Sequence, residues 1–214
     1  MRKSAVYDLV VASMFSVVIA ICAWITIPFA VPFTMQTFGV FLAIAVLGGK
    51  LAAVSILLYI LLGVIGIPVF SGFQSGIGVL FQQTGGYVIG FLIASLVIWG
   101  VESCTRKFGW CCEKVGSLQG RKIVKKYDGV LSGLASNKKT WVLASKLLLG
   151  LLVCYTFGTL WFWILYMKNS GAISIGAVIG ICVVPFVVPD LVKIMLVLVV
   201  QKRLRRSGFA NASE

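Results

Sequence analysis

Pro185–Leu196 reads PFVVPDLVKIML. Two prolines and two charges interrupt a stretch that is otherwise apolar from Ala172 to Val200. A charge at the centre of a bilayer costs about 2.5–3.5 kcal/mol on insertion scales. The surroundings of Asp190 and Lys193 must therefore offset two such costs. The stretch is also longer than the ~20 residues a span requires, and Pro185 and Pro189 fall in its middle. We expect a short helix or loop over Ala172–Val184 and a final helix starting near Pro189. Proline in the first helical turn, with an acid beside it, is favourable at a helix start.

The rest of the chain makes the membrane setting plain. Of 214 residues, 60% are hydrophobic and 12% charged, with a mean hydropathy of +1.05. A soluble domain carries about 25% charged residues. The net charge of +13 would suggest nucleic acid in a soluble chain. Here basic residues hold cytoplasmic loops against an anionic leaflet, and no nucleic-acid partner is expected. The first apolar run, in MRKSAVYDLVVASMFSVVIAICAWI, exceeds the ~7–15 residues of a signal-peptide core. It is expected to stay as the first membrane helix.

Six spans are expected. The first covers about Tyr7–Ile27 and ends at PFAVPFTMQ (Pro28–Gln36), since prolines break a helix interior. Two short helices follow, Thr37–Leu47 and Leu51–Ile65, separated by Gly48-Gly49-Lys50. The first of these is about 17 Å long, short of a ~30 Å hydrocarbon core. A Gly-rich segment runs to Tyr87, with further spans over about Gly78–Val101 and Trp141–Tyr166. Between those two lies Glu102–Thr140, a charged insertion read as a cytoplasmic loop. The expectation is one transmembrane domain over residues 1–214. It is an all-α integral membrane protein of about six helices, with a discontinuous final helix and re-entrant outer loops.

Sixteen of the 19 Lys and Arg fall in segments that share one side in this arrangement, and only Lys168 falls on the other. The positive-inside rule then places both termini in the cytoplasm of a cell (inner or plasma) membrane. Lys146 is expected to snorkel from the fifth span toward that side. Asp190 and the Gly-rich segment belong to the outer half.

Nothing indicates an enzyme. His is absent, which removes the commonest general base and metal ligand. LGGKL lacks the spacing of a phosphate-binding P-loop. The six cysteines are scattered and read as reduced thiols; neither metal nor cofactor is implied. Asp190 and Lys193 stand i,i+3 on one helical face, as a structural ion pair or a ligand site. Intramembrane charges are functional hypotheses by default, and binding sites form where helices are broken. Gln36, Thr37, Tyr59, Phe73, Gln74, Gln83, Thr84 and Tyr87 add neutral hydrogen-bonding or stacking groups. Gly85 and Gly86 permit close backbone approach, to a ligand or to another helix. Together these outline a pocket, open to the outside, for a small and mostly neutral solute. Ala12, Ser16 and Ala20, spaced by four, form a ridge of small residues for close helix contact, with a partner or within the chain.

PFTMQTFGVFLA, LLYILLGVIGIPVF, TGGYVIGF and PFVVPDLVK occur in the order and at the spacing of the motifs of the BioY family, which the chain resembles from about Ala5 to Arg206 outside the basic insertion. Members are biotin-binding S components of energy-coupling factor (ECF) transporters. The resemblance implies a six-helix subunit that captures biotin from outside. Its partners would be a transmembrane coupling subunit and two ATPases, with the first-helix ridge facing the coupling subunit. It also implies that Asp190 and Lys193 hold the ring end of biotin, and that Thr84, Gly85, Gly86 and Tyr87 belong to the pocket. The chain departs from the family's usual P-F-x-P-G-D in having Pro189 directly before Asp190. It has Gln82-Gln83 where Gly-Pro is common. An S component for riboflavin or thiamine, or a membrane scaffold with a structural Asp190–Lys193 pair, are the competing readings.

Overall fold

The computed structural model describes residues 5–27, 33–116, 128–170 and 174–206. Pro28, Pro32 and the start of the expected 172–184 element lie outside them, as do the side chains of Cys111, Cys112 and the basic residues from Arg106 to Lys139. Helix α1 spans Ala5–Trp24. A two-residue antiparallel ribbon follows, β1 (Thr26–Ile27) against β2 (Phe33–Thr34), with Thr26 opposite Thr34. Then come α2 (Gln36–Ile65), α3 (Gly85–Gly116), α4 (Asp128–Ser170), α5 (Ile175–Cys182) and α6 (Val184–Arg206).

Helix α2 is a hairpin. Gly48 has φ 78° and ψ 169°, outside the helical region. Gln36 Nε2 donates to Tyr59 Oη at 3.1 Å. In a continuous helix those residues would stand about 34 Å apart, at 1.5 Å per residue. The chain therefore reverses at Gly48 into two arms, 36–47 and 49–65, as the GGK interruption suggested. A positive φ is where glycine is favoured. The reversal leaves helix-end groups to satisfy. Glu102 Oε2 of α3 accepts from Gly49 N at 2.9 Å, and Gln201 Nε2 of α6 donates to Ala45 O at 3.1 Å. Among the described residues, five helical stretches are long and apolar enough to cross a membrane; with α2 counted as two arms and α5–α6 as one interrupted span, the bundle has the expected six helical segments.

The arms of α2 form the centre. Helix α1 packs along them, α3 and α6 pack against them, and α4 lies on α3. The α3–α4 contact is close because small residues face large ones. A Cβ on Gly86 would stand 2.3 Å from Trp161 Cβ, and one on Gly158 would stand 2.4 Å from the Tyr87 ring. The loop after α2 turns Val69, Phe70 and Val79 into the bundle.

Several boundaries differ from expectation. Helix α3 starts at Gly85, and Ile77–Phe81 is a separate 3-10 turn. The insertion expected as a loop is helical through Gly116 and again from Asp128. Apolarity marks where a helix meets lipid; the backbone continues through good helix formers such as Glu102, Arg106 and Lys107. Lys146 does not snorkel freely: its Nζ pairs with Glu102 Oε1 at 3.1 Å.

The final helix starts at Val184, five residues before Pro189. Pro185 occupies the first turn, and Pro189 lies inside the helix. Asp190 therefore sits in the second turn, beyond the reach of the helix-end dipole. The break expected near the prolines falls at Val183, between α5 and α6.

Candidate functional site

Asp190, Lys193, Ile194, Val197 and Gln201 form the buried stripe of α6, a helical period turned toward α2. Asp190 is 2% exposed and Lys193 4%. Lys193 Nζ donates to Asp190 Oδ1 at 2.8 Å, to Thr37 Oγ1 at 2.8 Å and to Thr34 O at 2.7 Å. That uses all three ammonium protons. The Phe33 ring covers the same ammonium, with its centroid 4.2 Å from Nζ, a cation–π contact. Phe33 in turn stacks on Phe186, centroid to centroid 6.2 Å.

Thr37 passes the interaction on. Its hydroxyl accepts from Lys193 and donates to Asp190 Oδ1 at 3.1 Å. The other carboxylate oxygen, Oδ2, accepts from Tyr155 Oη of α4 at 2.5 Å. The two charges are thus offset by each other and by groups from β2, α2 and α4. Charge-assisted hydrogen bonds of this kind are the strong ones, and a buried ion pair is tolerable only when so satisfied.

The other expected residues divide into three groups. Gln36 and Tyr59 are buried and bonded to each other, one position from Thr37. Thr84–Tyr87 opens α3. There Gly85 and Gly86 serve close packing, a Cβ on Gly85 lying 2.0 Å from Leu80 O. Tyr87 lies against the turn of α4 that carries Tyr155: Cys154 Sγ donates to Tyr87 O at 3.8 Å. The Tyr87 hydroxyl donates to Cys182 O of α5 at 3.5 Å. Gln83 is half-buried. Phe73 and Gln74 are exposed in the loop between α2 and α3. Phe73 stacks there on Trp24 at 5.2 Å and is not brought to the ion pair.

Tyr155, Thr34 and Phe33 were not among the expected residues. A tyrosine in mid-span is a polar group at a depth where partners are scarce, and that signal could have marked Tyr155. The contact through Thr34 is made by its backbone carbonyl, on which side-chain chemistry is silent.

The expected docking ridge is not available as a surface. Ala12, Ser16 and Ala20 are 0%, 2% and 5% exposed, on the side of α1 that packs along α2. A Cβ on Gly39 would stand 3.2 Å from Ile19 Cα, so small residues here let α1 and α2 approach. The exposed side of α1 carries Val6, Val10, Met14, Val17 and Ile21.

A multi-pass helical membrane protein with a closed, fully hydrogen-bonded carboxylate–ammonium pair at the junction of four elements is the class these observations define. The BioY family model matches residues 1–209, and the chain belongs to that family. The biotin transporter BioY of Thermotoga maritima is 33% identical over 200 residues, covering 93% of this chain and 96% of that one. A probable biotin transporter BioY of Pyrococcus horikoshii is 34% identical over 176 residues, 82% and 81% of the two chains. The crystal structure of the S-component for biotin from an ECF-type ABC transporter shares the fold. Its TM-score is 0.69 at 21% identity, over 96% of this chain and 94% of that one.

Proposed function

We propose that this protein is the biotin-capturing S component of an ECF-type transporter. The observation that carries the reading is the network around Asp190 and Lys193. A cyclic urea presents two N–H donors beside one carbonyl acceptor. Asp190 supplies an acceptor and Lys193 a donor on one rigid helical face, i,i+3 apart, both out of water. Membership of a transporter family gives the chain a transport role, not that of an enzyme. It supplies no nucleotide-binding motif, so ATP hydrolysis falls to partner ATPases acting through a transmembrane coupling subunit.

The end of the bundle carrying β1–β2 and Asp190 is read as facing outside, with both termini in the cytoplasm, because the basic residues concentrate at the other end. The substrate-binding set is Asp190 and Lys193 with Thr37 and Tyr155. We assign Gln36, Tyr59, Gln83, Thr84 and Tyr87 to its surround, and Gly85 and Gly86 to its α3 side.

The test is titration of the purified protein with labelled biotin, with riboflavin and thiamine as competitors. Saturable biotin binding that neither competitor displaces is the expected result. Asp190→Asn should weaken it at least tenfold, ~1.4 kcal/mol. Displacement by another vitamin, or no biotin binding by folded protein, would sink the reading.

A further inference from the structure

The loop between α2 and α3, residues 66–84, carries no charge; none occurs between Lys50 and Glu102. A connection between spans ordinarily meets water, yet this one turns large apolar side chains outward. Ile67, Phe73, Ile77 and Phe81 are 45%, 62%, 61% and 66% exposed, and Ile65 just before them 77%. Single exposed apolar residues are ordinary. Several in one short segment form a patch that calls for a partner.

The level of the loop is set by the spans around it. Apolar stretches end at Trp24 and Ile65 and resume at Gly85, so the loop lies where hydrocarbon gives way to headgroups. Two indoles mark the same level. Trp24 Nε1 donates to Pro68 O at 2.9 Å, and Trp161 Nε1 donates to Gln82 O at 3.2 Å. Tryptophans with an apolar body and one bonded N–H gather at membrane interfaces. The loop is also tied to the end of α1. Thr26 Oγ1 and Ser71 Oγ share a hydrogen bond at 3.1 Å, and the Phe73 ring stacks on Trp24 at 5.2 Å.

Backbone groups away from water need partners. Here Ile67 N donates to Leu62 O at 3.1 Å, Phe70 N to Gln74 O at 3.1 Å, Gly76 N to Gly63 O at 2.8 Å and Gln82 N to Val79 O at 3.2 Å. With the two indole bonds, the loop supplies much of its own pairing. Gln74, Ser75 and Gln82 are exposed among the apolar residues. That mixture suits headgroups and not the hydrocarbon centre.

We propose that this loop is a lipid-contact surface, with Ile65, Phe73, Ile77 and Phe81 seated in the boundary between the headgroups and acyl chains of one leaflet. Lipid is the occupant because the patch continues the lipid-facing surface of the spans that lead into it, where Ile21 and Leu61 are 50% and 46% exposed. It also offers no charge with which to select a polar partner. The inference needs only the membrane setting, not the identity of the substrate.

The test reconstitutes the full chain in phosphatidylcholine vesicles. A phosphatidylcholine with a photoactivatable diazirine near the carbonyl end, or at the methyl end, of one acyl chain is added, and adducts are mapped by peptide mass spectrometry. The carbonyl-end probe should label Ile65–Phe81. The methyl-end probe should leave that segment unlabelled and label exposed mid-span residues such as Leu152 and Val192. Ile77→Glu and Phe81→Glu charge exposed positions. Each should keep the parent's melting temperature in detergent and lose the loop adducts while those on the spans remain. A loop left unlabelled by the carbonyl-end probe, with the spans labelled, would put it in water and overturn the proposal. Labelling that appears only on dilution of the protein in lipid would give the face to a second copy and overturn it as well. Loop adducts retained in both glutamate variants would show that these side chains do not hold the loop in lipid. If the variants lost their melting transition, the depth profile of the parent would decide.

Discussion

Lys193→Met keeps an unbranched apolar stem and removes the ammonium. Its three hydrogen bonds disappear together. Asp190 stays buried, with Thr37 and Tyr155 as its remaining donors. Breaking a buried ion pair from one side costs about 3–5 kcal/mol, because the surviving charge is uncompensated. Thr34 O also loses its donor, which adds to the cost. We expect a loss near the middle of that range, about 4 kcal/mol. Adding Asp190→Asn removes the orphaned charge: the amide oxygen can accept from Tyr155, and the amide NH2 can donate to Thr37 Oγ1, which no longer receives Lys193. The double variant should then return to within about 1–2 kcal/mol of the parent. The double-mutant cycle should show a coupling well above the ~0.5 kcal/mol within which independent sites add. Thermal or denaturant unfolding in detergent supplies the stabilities, and titration with labelled biotin supplies the affinities. Binding should be lost in both variants although only the single one is severely destabilised. A cost below about 1 kcal/mol for Lys193→Met, the level of an exposed pair, would refute the claim that Lys193 compensates a buried charge. Parent-like biotin affinity in the double variant would reduce the pair to a structural lock.

Gly86→Ala drives a Cβ to 2.3 Å from Trp161; we expect about 1–3 kcal/mol of destabilisation from overpacking, read as a lowered melting temperature. Glu102→Gln loses the pair with Lys146 but keeps an acceptor for Gly49 N, so it should cost less than about 1 kcal/mol. Glu102→Ala strands that amide and should cost about 1–3 kcal/mol; equal costs for the two would mean that the charge, not the cap, matters. Cys104 is exposed and lies at the end of α3 expected to face the cytoplasm. A membrane-impermeant maleimide should leave it unlabelled in intact cells and label it after lysis, and labelling before lysis would reverse the orientation.

Much of this fold was legible because lipid imposes simple rules on sequence. Spans showed as apolar runs, and the α2 hairpin showed as Gly48-Gly49-Lys50 between two short runs, the first too short to cross alone. Helix ends were not legible where helices leave lipid: Glu102–Gly116 continues α3 although its composition is that of a loop. At the site, Asp190 and Lys193 announced themselves by cost, and Gln36 and Thr37 by being polar at the start of a span. The burial of Ala12, Ser16 and Ala20 was not legible, because a small-residue ridge has the same spacing whether it meets α2 or another protein. Phe73 illustrates a further limit. An aromatic in a glycine-rich loop is equally suited to a ligand and to Trp24, and only the path of the loop decides.

The network also constrains how a ligand can enter it. Every N–H of Lys193 has a protein acceptor, so a urea carbonyl cannot simply add to the ammonium. The carbonyl must displace Thr34 O, Thr37 Oγ1 or Asp190 Oδ1 from it. The urea N–H can add at Asp190 Oδ2, which among the described residues accepts only from Tyr155 and keeps a second lone pair. The exchange at the ammonium trades bonds of similar strength, so its net contribution is small. The favourable surplus must then come from apolar burial, at roughly 25 cal/mol per Å², and from a framework that need not be reordered. The framework meets the second condition. The 36–47 arm of α2 and helix α6 are tied at one end by Thr37 to Asp190 and Lys193, and at the other by Ala45 to Gln201. With those two elements held, the groups left to yield are Thr34 and Phe33 on the two-residue ribbon β2 and Tyr155 on α4. On this reasoning polar exchange selects which ring is accepted, and apolar burial sets how tightly it is held.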